Sequence, residues 1–230
     1  MYIMKLNPVF KDYIWGGTRL CDDFNMNSGF DKTAEAWELS CHKDGQSIIA
    51  NGKHQGKTLA QFIEENTKEA VVGKRANDFD YFPVLIKLID AFDNLSIQVH
   101  PNDEYAKRVE GEFGKTEIWY VLDATDDATL VYGFKNKISS KEFEKAIKEN
   151  TSLDVLNTVK VKKGDLFFIE AGTVHAIGKG TLVAEIQQNS NSTYRVYDYG
   201  RVGANGKPRE LHIKKAVDVS VTEPPKYDIK

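Results

Sequence analysis

Cysteine and proline are scarce in this sequence of 230 residues, and long apolar runs are absent. The two cysteines, Cys21 and Cys41, form no CxxC pattern and are too few for a disulfide framework, so we expect both to be reduced structural residues. No stretch reaches the roughly 18 consecutive apolar residues of a membrane helix, and the first residues contain no apolar signal region. These absences predict a cytoplasmic protein that does not bind membranes.

An excess of charge of either sign is also missing. The sequence has 31 lysines and arginines against 34 aspartates and glutamates, which gives a formal net charge of −3. This balance provides no general attraction for nucleic acid, so an anionic substrate would have to meet a local group of cationic side chains. Repeats, low-complexity tracts and linker-like segments are lacking as well, and we expect residues 1–230 to form a single domain.

What the sequence does contain is many short runs rich in β-branched and aromatic residues, most of them separated by turn residues. The predicted strands are residues 36–41, 82–92, 95–100, 116–122, 129–134, 158–161, 166–169, 182–187 and 194–197. Helical periodicity is rarer, and the predicted helices are residues 58–66, 103–110, 139–150 and 209–219. Many short strands with a few peripheral helices indicate a mainly-β barrel or double-sheet jelly roll.

Residues 95–100, read as a strand, have two chemically different faces because successive side chains point to opposite sides. Leu95, Ile97 and Val99 form the apolar face. The polar face consists of Ser96, Gln98 and His100. Taken alone, such a polar row is typical of a strand with one face in solvent.

Two later segments add chemistry to this polar row. Lys115 and Glu117 share one face of the next predicted strand, and a glycine-containing turn after residues 166–169 leads to His175. Imidazoles and a carboxylate on strands that can converge are a plausible ligand set for a divalent metal ion.

Several motifs in the sequence are similar to those of a known family. The order GDxxxxxAGTxHAIG, at residues 164–178, resembles the cupin superfamily. Four segments look more specifically like type I mannose-6-phosphate isomerases: FPVLIKLIDAFDNLSIQVHP (82–101), GKTEIWY (114–120), AGTVHAIGKG (171–180) and NSTYRVYDYGR (191–201). The similarity extends from Tyr13 to about Val219, which is nearly the whole chain.

The resemblance implies a cupin-type jelly-roll barrel with a few peripheral helices and one zinc ion per chain. The positions that match the family's zinc ligands are Gln98, His100, Glu117 and His175. The other histidines, His42, His54 and His212, match no ligand position, and we interpret them as surface residues. The implied reaction interconverts D-mannose 6-phosphate and D-fructose 6-phosphate by zinc-assisted proton transfer through an enediol.

The resemblance also implies roles for residues that handle the substrate. Arg195 matches a catalytic arginine close to the reacting carbons, and Lys115 matches a pocket lysine beside Glu117. Arg201 matches a basic position that reaches the phosphate, and Ser96 a hydroxyl near it. The group that moves the proton stays open between Lys115, Glu117 released from the metal, and a zinc-bound hydroxide.

The sequence departs from the family pattern at two places. Glu170 replaces a usual proline just before the turn to His175, which is expected to loosen this turn and add a carboxylate near the metal. The second departure is that relatives continue beyond the C-terminal end.

Two other functions stay open. His100, Glu117 and His175 also suit an Fe(II)-dependent cupin oxygenase, and a non-catalytic cupin that binds sugar phosphates is a further alternative. We expect a monomer or a weak homodimer.

Overall fold

The computed structural model describes residues 2–203 and 206–227, and most of its regular structure is β-strand. The strands, in chain order, are β1 (Leu6–Asn7), β2 (Val9–Lys11), β3 (Glu35–Leu39), β4 (Cys41–His42), β5 (Gly45–Gln46), β6 (Ile48–Ile49), β7 (Val84–Ala91), β8 (Ile97–Val99), β9 (Glu117–Ala124), β10 (Thr129–Phe134), β11 (Leu156–Lys160), β12 (Leu166–Ile169), β13 (His175–Ile177), β14 (Thr181–Gln188) and β15 (Tyr194–Tyr197). The α-helices are α1 (Arg19–Asp22), α2 (Leu59–Asn66), α3 (Lys68–Val72), α4 (Asp103–Val109), α5 (Ser140–Lys148), α6 (Ser152–Val155) and α7 (Ile213–Val219).

Two antiparallel sheets form the framework. One has the strand order β11-β10-β13-β8-β15 and the other the order β12-β9-β14-β7-β3-β2. A buried apolar cluster contains side chains from both sheets, including Leu130 and Ile177 of the first and Trp119, Phe167 and Val183 of the second. The two sheets therefore pack face to face around a common core, as the predicted double-sheet jelly roll requires.

The outer face of the five-stranded sheet is covered by helices. Ile97 and Val99 of β8 pack in one buried cluster with Phe143 and Ile147 of α5 and Ala216 of α7. The helix α5 begins with a capping box, in which the side chains of Ser139 and Glu142 each accept a hydrogen bond from the other's backbone N–H. Because the apolar side of β8 is buried beneath these helices, its polar side faces the space between the sheets.

The predicted strands and helices recur in the structure with small shifts, and residues 129–134, 166–169 and 194–197 match their strands in full. Leu95 does not share a face with Ile97 and Val99 as predicted. The strand begins only at Ile97, and Leu95 packs in the core between the sheets. The two- and three-residue strands near the N-terminus were not predicted, because such short strands leave no recognisable alternation in the sequence.

The last helix starts four residues later than predicted, at Ile213. The segment before it pairs with β15 instead of coiling: the backbone N–H of His212 donates to the carbonyl of Arg195 at 2.8 Å, and the N–H of Arg195 donates to Nδ1 of His212 at 3.0 Å. Arg209 is held at the same time by an ion pair with Asp198. These contacts keep residues 209–212 out of the helix although they have a helical sequence pattern.

The interpretation of His42 as a surface residue is wrong. Its side chain is 5% exposed and packs edge-on against the indole of Trp37, with ring centroids 5.9 Å apart. His54 and His212 are half-buried. None of the helices in the described part of the chain combines the length and the apolar character that crossing a membrane requires.

Candidate metal centre

Three neighbouring strands of the five-stranded sheet place one polar row on the same face. Gln98 of β8 lies directly opposite His175 of β13 on one side and opposite Arg195 of β15 on the other. Directly opposed residues of antiparallel strands project to the same face of a sheet. The side chains of His175, Gln98 and Arg195 therefore stand side by side above the interior.

A second group joins the two sheets. Ligand atoms of His100, Glu117 and His175 all lie within 4.8 Å of one another, and the three side chains are at most 1% exposed. His100 follows β8 and His175 starts β13, whereas Glu117 starts β9 of the opposite sheet. The sequence-based grouping of these three residues is thus reproduced by the fold.

Both imidazoles are oriented by backbone carbonyls. Nδ1 of His100 is 2.8 Å from the carbonyl oxygen of Ser192, and Nδ1 of His175 is 2.9 Å from that of Thr173. If each Nδ1–H donates to its carbonyl, both Nε2 lone pairs are available to a metal ion. Nε2 of His175 is buried and has no hydrogen-bond partner among the described residues, which fits a site designed to receive a cation.

The surroundings of the three side chains favour the protonation states that bind a metal ion, namely neutral imidazoles and a charged carboxylate. Burial, together with the Lys115 cation, lowers the pKa of His100 to about 3, and burial also lowers the pKa of His175. Burial would raise the pKa of Glu117, but Lys115 and His100 outweigh it and hold that pKa well below its ordinary value. Two neutral imidazoles and one carboxylate can hold a divalent metal ion.

The turn that leads to His175 depends on a glycine. Gly172 has φ +91°, and a Cβ there would lie 2.9 Å from the carbonyl oxygen of Val219. Its N–H donates to the carbonyl of His100 at 2.8 Å, so the turn is tied to another ligand of the group. Glu170, in contrast, does not bring its carboxylate into the group, and its Oε2 lies 3.7 Å from Nζ of Lys226.

A cavity of about 310 Å³ opens beside the metal group. It is lined by Ser96, Gln98, Lys115 and Arg195, four of the residues singled out in the sequence. Nζ of Lys115 is 2.7 Å from Oε1 of Glu117 and 3.2 Å from Nε2 of His100. Nη1 of Arg195 donates to the carbonyl of Glu210 at 2.9 Å, while its buried Nε has no partner among the described residues.

Charged residues that the sequence reasoning missed line the same cavity. Lys87 lies 3.3 Å from Oε1 of Glu185 and 3.6 Å from Oε2 of Glu35, and all three side chains are buried. Burial, and then the charge of Glu117, raises the pKa of Glu185 to about 7. The signal was available, because Lys87 occupies a buried-face position between Leu85 and Ile89 in a strand that is otherwise apolar on that face.

Two arginines share the buried carboxylate of Asp198, but only one lines the cavity. Nε of Arg209 donates to Oδ2 of Asp198 at 2.7 Å, and Arg209 contributes to the cavity wall. Nη2 of Arg201 donates to Oδ1 of Asp198 at 2.7 Å, and Nη1 donates to the carbonyl of Asn94. Arg201, the basic residue singled out in the sequence, is not among the lining residues, whereas Arg209 is.

Comparisons with known proteins agree with this geometry. Residues 3–127 match the family model of the phosphomannose isomerase type I catalytic domain. The chain is 47% identical over 213 residues to the mannose-6-phosphate isomerase ManA of Bacillus subtilis, a match that covers 92% of this chain and 66% of ManA. The chain therefore spans just under two thirds of the length of this relative.

Solved structures show the same fold. The crystal structure of the Bacillus subtilis mannose 6-phosphate isomerase superposes with a TM-score of 0.89 at 44% identity, covering 97% of this chain and 70% of that one. A zinc-bound mannose 6-phosphate isomerase, at 19% identity, superposes with a TM-score of 0.75 over 96% of this chain and 75% of its own. The predicted cupin-type fold is confirmed. The chain belongs to the type I phosphomannose isomerase family.

Proposed function

We propose that this chain interconverts D-mannose 6-phosphate and D-fructose 6-phosphate in a zinc-dependent reaction. The observation that carries the proposal is the buried group of His100, Glu117 and His175 beside a cavity lined by Lys87, Lys115, Arg195 and Arg209. The carboxylates of Glu35 and Glu185 also line this cavity, and the four cations exceed them, so the lining offers a net positive charge to a dianionic sugar phosphate in a chain that is acidic overall. Its relatives in the family are named as mannose-6-phosphate isomerases, which supports the same assignment.

Gln98, His100, Glu117 and His175 are the proposed zinc ligands, with one ion per chain. Two neutral imidazoles, a carboxylate and an amide leave the bound ion with net positive charge, and the zinc-bound form of a structural neighbour supports the choice of metal. Zinc, when bound, supplies Lewis acidity toward the sugar carbonyl.

The two ends of the cavity suggest how the substrate is oriented. Ser96 and His100 are four residues apart, and four extended residues span about 13 Å. Arg209 belongs to the Ser96 end, because its partner Asp198 also binds Arg201, which contacts the carbonyl of Asn94. We place the phosphate at this end, against Ser96 and Arg209, and the C1–C2 unit near Lys115 and Arg195. In this arrangement Arg201 acts indirectly, by holding Asp198.

The residues near C1 and C2 then stabilise negative charge. Removal of a proton next to a carbonyl forms an enediolate, and the Lys115 ammonium and the Arg195 guanidinium provide fixed cations beside it. The Arg195 side chain lines the cavity, and its Nε–H has no hydrogen-bond partner among the described residues. The separate variants Lys115→Met and Glu185→Gln test which cavity-lining side chain moves the proton: a variant that keeps turnover with solvent exchange excludes its residue, because proton transfer then does not need that side chain.

A coupled isomerase assay with mannose 6-phosphate, before and after chelation, tests the proposed function. We expect turnover that chelation abolishes and added zinc restores. Tight binding of mannose 6-phosphate without turnover would indicate a sugar-phosphate-binding cupin instead. Oxygen uptake that depends on iron would indicate an oxygenase.

The route of the hydrogen needs a separate measurement. A hydride shift is favoured by two metal ions, and His100, Glu117 and His175 form the one metal-capable group found among the described residues. We therefore expect a proton route with solvent exchange. Partial conversion in deuterated water should place deuterium at C1 of fructose 6-phosphate. Quantitative transfer of a C2 deuterium to C1 would contradict this route.

A further inference from the structure

The carbonyl that orients His100 lies in a segment without regular structure. Ser192 belongs to residues 189–193, which connect β14 to β15 and form no strand. The Nδ1 of His100 nevertheless lies 2.8 Å from the Ser192 carbonyl, across 92 positions of the sequence and in a fully buried environment. Because sheet hydrogen bonds do not hold this loop, other contacts must fix the position of the carbonyl.

Glu112 supplies the contacts at the Ser192 end of the loop. Its Oε2 accepts hydrogen bonds from the backbone N–H of Asn191 at 3.4 Å and from the hydroxyl of Ser192 at 3.3 Å. Its other oxygen, Oε1, lies 2.6 Å from Nζ of Lys43, and the side chain of Glu112 is 15% exposed. One carboxylate thus connects the β4–β5 hairpin to the loop that orients His100.

Other contacts also hold the loop. At Ser192 itself, the backbone N–H donates to the buried hydroxyl of Ser190 at 3.2 Å. Ser190 is held by Gln187, whose Nε2 donates to the Ser190 carbonyl at 2.7 Å. Asp44 accepts a hydrogen bond from the side chain of Asn191 at 3.0 Å, but its own side chain is 44% exposed and competes with water. Glu112 is therefore the well-shielded charged group that contacts both Asn191 and Ser192.

We propose that Glu112 is a positioning residue for the metal ligand His100, acting through Asn191 and Ser192. It touches neither metal nor substrate, and the inference rests on the proposed function because it needs zinc at His100. An imidazole ligand must direct its lone pair at the ion, and a fixed outer carbonyl restricts rotation of the ring. Loss of the Glu112 contacts loosens the part of the loop at Asn191 and Ser192, and the ligand then has to be ordered when the ion binds.

The test compares zinc affinities of the full chain, measured by competition with a chromogenic chelator. Loss of a group that hydrogen-bonds to a metal ligand weakens metal binding 10- to 100-fold. We expect about tenfold for Glu112→Ala, because Glu112 contacts the residue that orients His100 and not His100 itself. Glu112→Gln should stay within about threefold of the wild type, since an amide oxygen can still accept both hydrogen bonds. The cobalt-substituted Glu112→Ala variant should also show an altered visible spectrum.

Two matched controls separate positioning from general stability. Lys43→Ala removes a cation that is 71% exposed, and Glu110→Ala removes a nearby carboxylate that binds Tyr194 and Lys215 instead of the loop. Both should bind zinc within twofold of the wild type. If Glu112→Ala does not fold, Ser192→Ala takes its place, because it deletes one of the two contacts while keeping the carbonyl, and it should weaken zinc binding severalfold.

The outcomes separate this proposal from the proposed function. Unchanged affinity in Glu112→Ala, or in Ser192→Ala where that variant is used, overturns the positioning role while wild-type zinc binding and turnover keep the isomerase assignment intact. Equal weakening by Glu110→Ala also overturns it, since the effect would then be nonspecific. A wild-type chain that binds no zinc overturns both proposals together.

Discussion

The metal end and the anion end of the cavity are built from different parts of the chain. At the metal end, Gln98, His175 and Glu117 lie within strands: register places Gln98 opposite His175, and Glu117 faces them from the other sheet. At the anion end, Asp198, Arg201 and Arg209 belong to the segment between β15 and α7, whose described residues form no strand or helix. Sheet geometry positions the first group, whereas ion pairs position the second.

This difference predicts different responses to mutation. A ligand held by a rigid strand keeps its place when it loses a partner, so removing one metal ligand should affect the metal more than the fold. The arginines depend on Asp198, which is 6% exposed and accepts hydrogen bonds from both of them. Removing this single carboxylate should therefore disturb the fold of the segment as well as binding.

His175→Ala is expected to have the largest effect. The variant leaves His100 and Glu117 in place but removes a ligand that no other described imidazole can replace. Zinc affinity should fall by more than about 100-fold, because about 100-fold is the upper limit for losing a residue that only hydrogen-bonds to a metal ligand. Isomerase activity should fall with it. His100→Ala should behave alike. Full zinc occupancy with intact activity in either variant would contradict the ligand assignment.

Arg195→Ala comes next, since Arg195 projects from β15 into the same row as Gln98 and His175. If its guanidinium stabilises the enediolate, kcat should fall by about 100- to 1000-fold with a smaller change in KM. Zinc affinity should stay near the wild-type value, which distinguishes the variant from His175→Ala. A rise in KM with unchanged kcat would move Arg195 to the group of phosphate contacts.

The same contrast explains how much of the site was predictable. The side chains of Gln98, Glu117, His175 and Arg195 follow from strand alternation together with family motifs, and the structure brings them to one place. The metal end could be anticipated because a strand residue's face depends only on its position in the alternation. His42 was misjudged because its burial comes from packing against Trp37, a contact that no local pattern encodes.

Arg209 could not be found in this way. Its sequence neighbourhood predicts a helix, and its place in the cavity wall depends on an ion pair with Asp198, eleven positions earlier. The pairing of His212 with the backbone of Arg195 is equally nonlocal. Tertiary contacts of this kind override local propensity, so the sequence directed attention to Arg201 instead.

Asp198→Asn tests the ion-pair cluster through stability. Burial would raise the pKa of Asp198, but Arg209 and Arg201 outweigh it and lower this pKa. A carboxyl whose folded pKa is depressed stabilises the fold above its unfolded pKa and loses this contribution as pH falls through the folded pKa. The free energy of unfolding should drop by about 2 kcal/mol at pH 7.

The pH series provides the control for this prediction. The difference between wild type and Asp198→Asn should be full from about pH 5 upward and should shrink below about pH 4, where the unfolded aspartate becomes protonated. Urea unfolding at several pH values measures it. A difference that is constant from pH 7 to pH 3 would mean that the asparagine acts through packing, not through lost charge.

The comparison of Arg209→Ala with Arg201→Ala is expected to give the smallest effects and the sharpest assignment. Arg209 lines the cavity, so loss of a charge-assisted hydrogen bond to the phosphate, about 1.5–3 kcal/mol, should raise KM at least about tenfold with little change in kcat. Arg201 is occupied by Asp198 and the Asn94 carbonyl, and its removal should change KM less than about threefold.

Arg209→Lys should recover part of the loss, because lysine retains the charge but not the two-pronged contact with Asp198. Kinetics with the phosphate-free sugar as a poor substrate complete the test. If Arg209 binds the phosphate, Arg209→Ala and the wild type should have similar KM values for this sugar. An equal disadvantage with both sugars, or a larger KM effect in Arg201→Ala, would reverse the assignment of the two arginines.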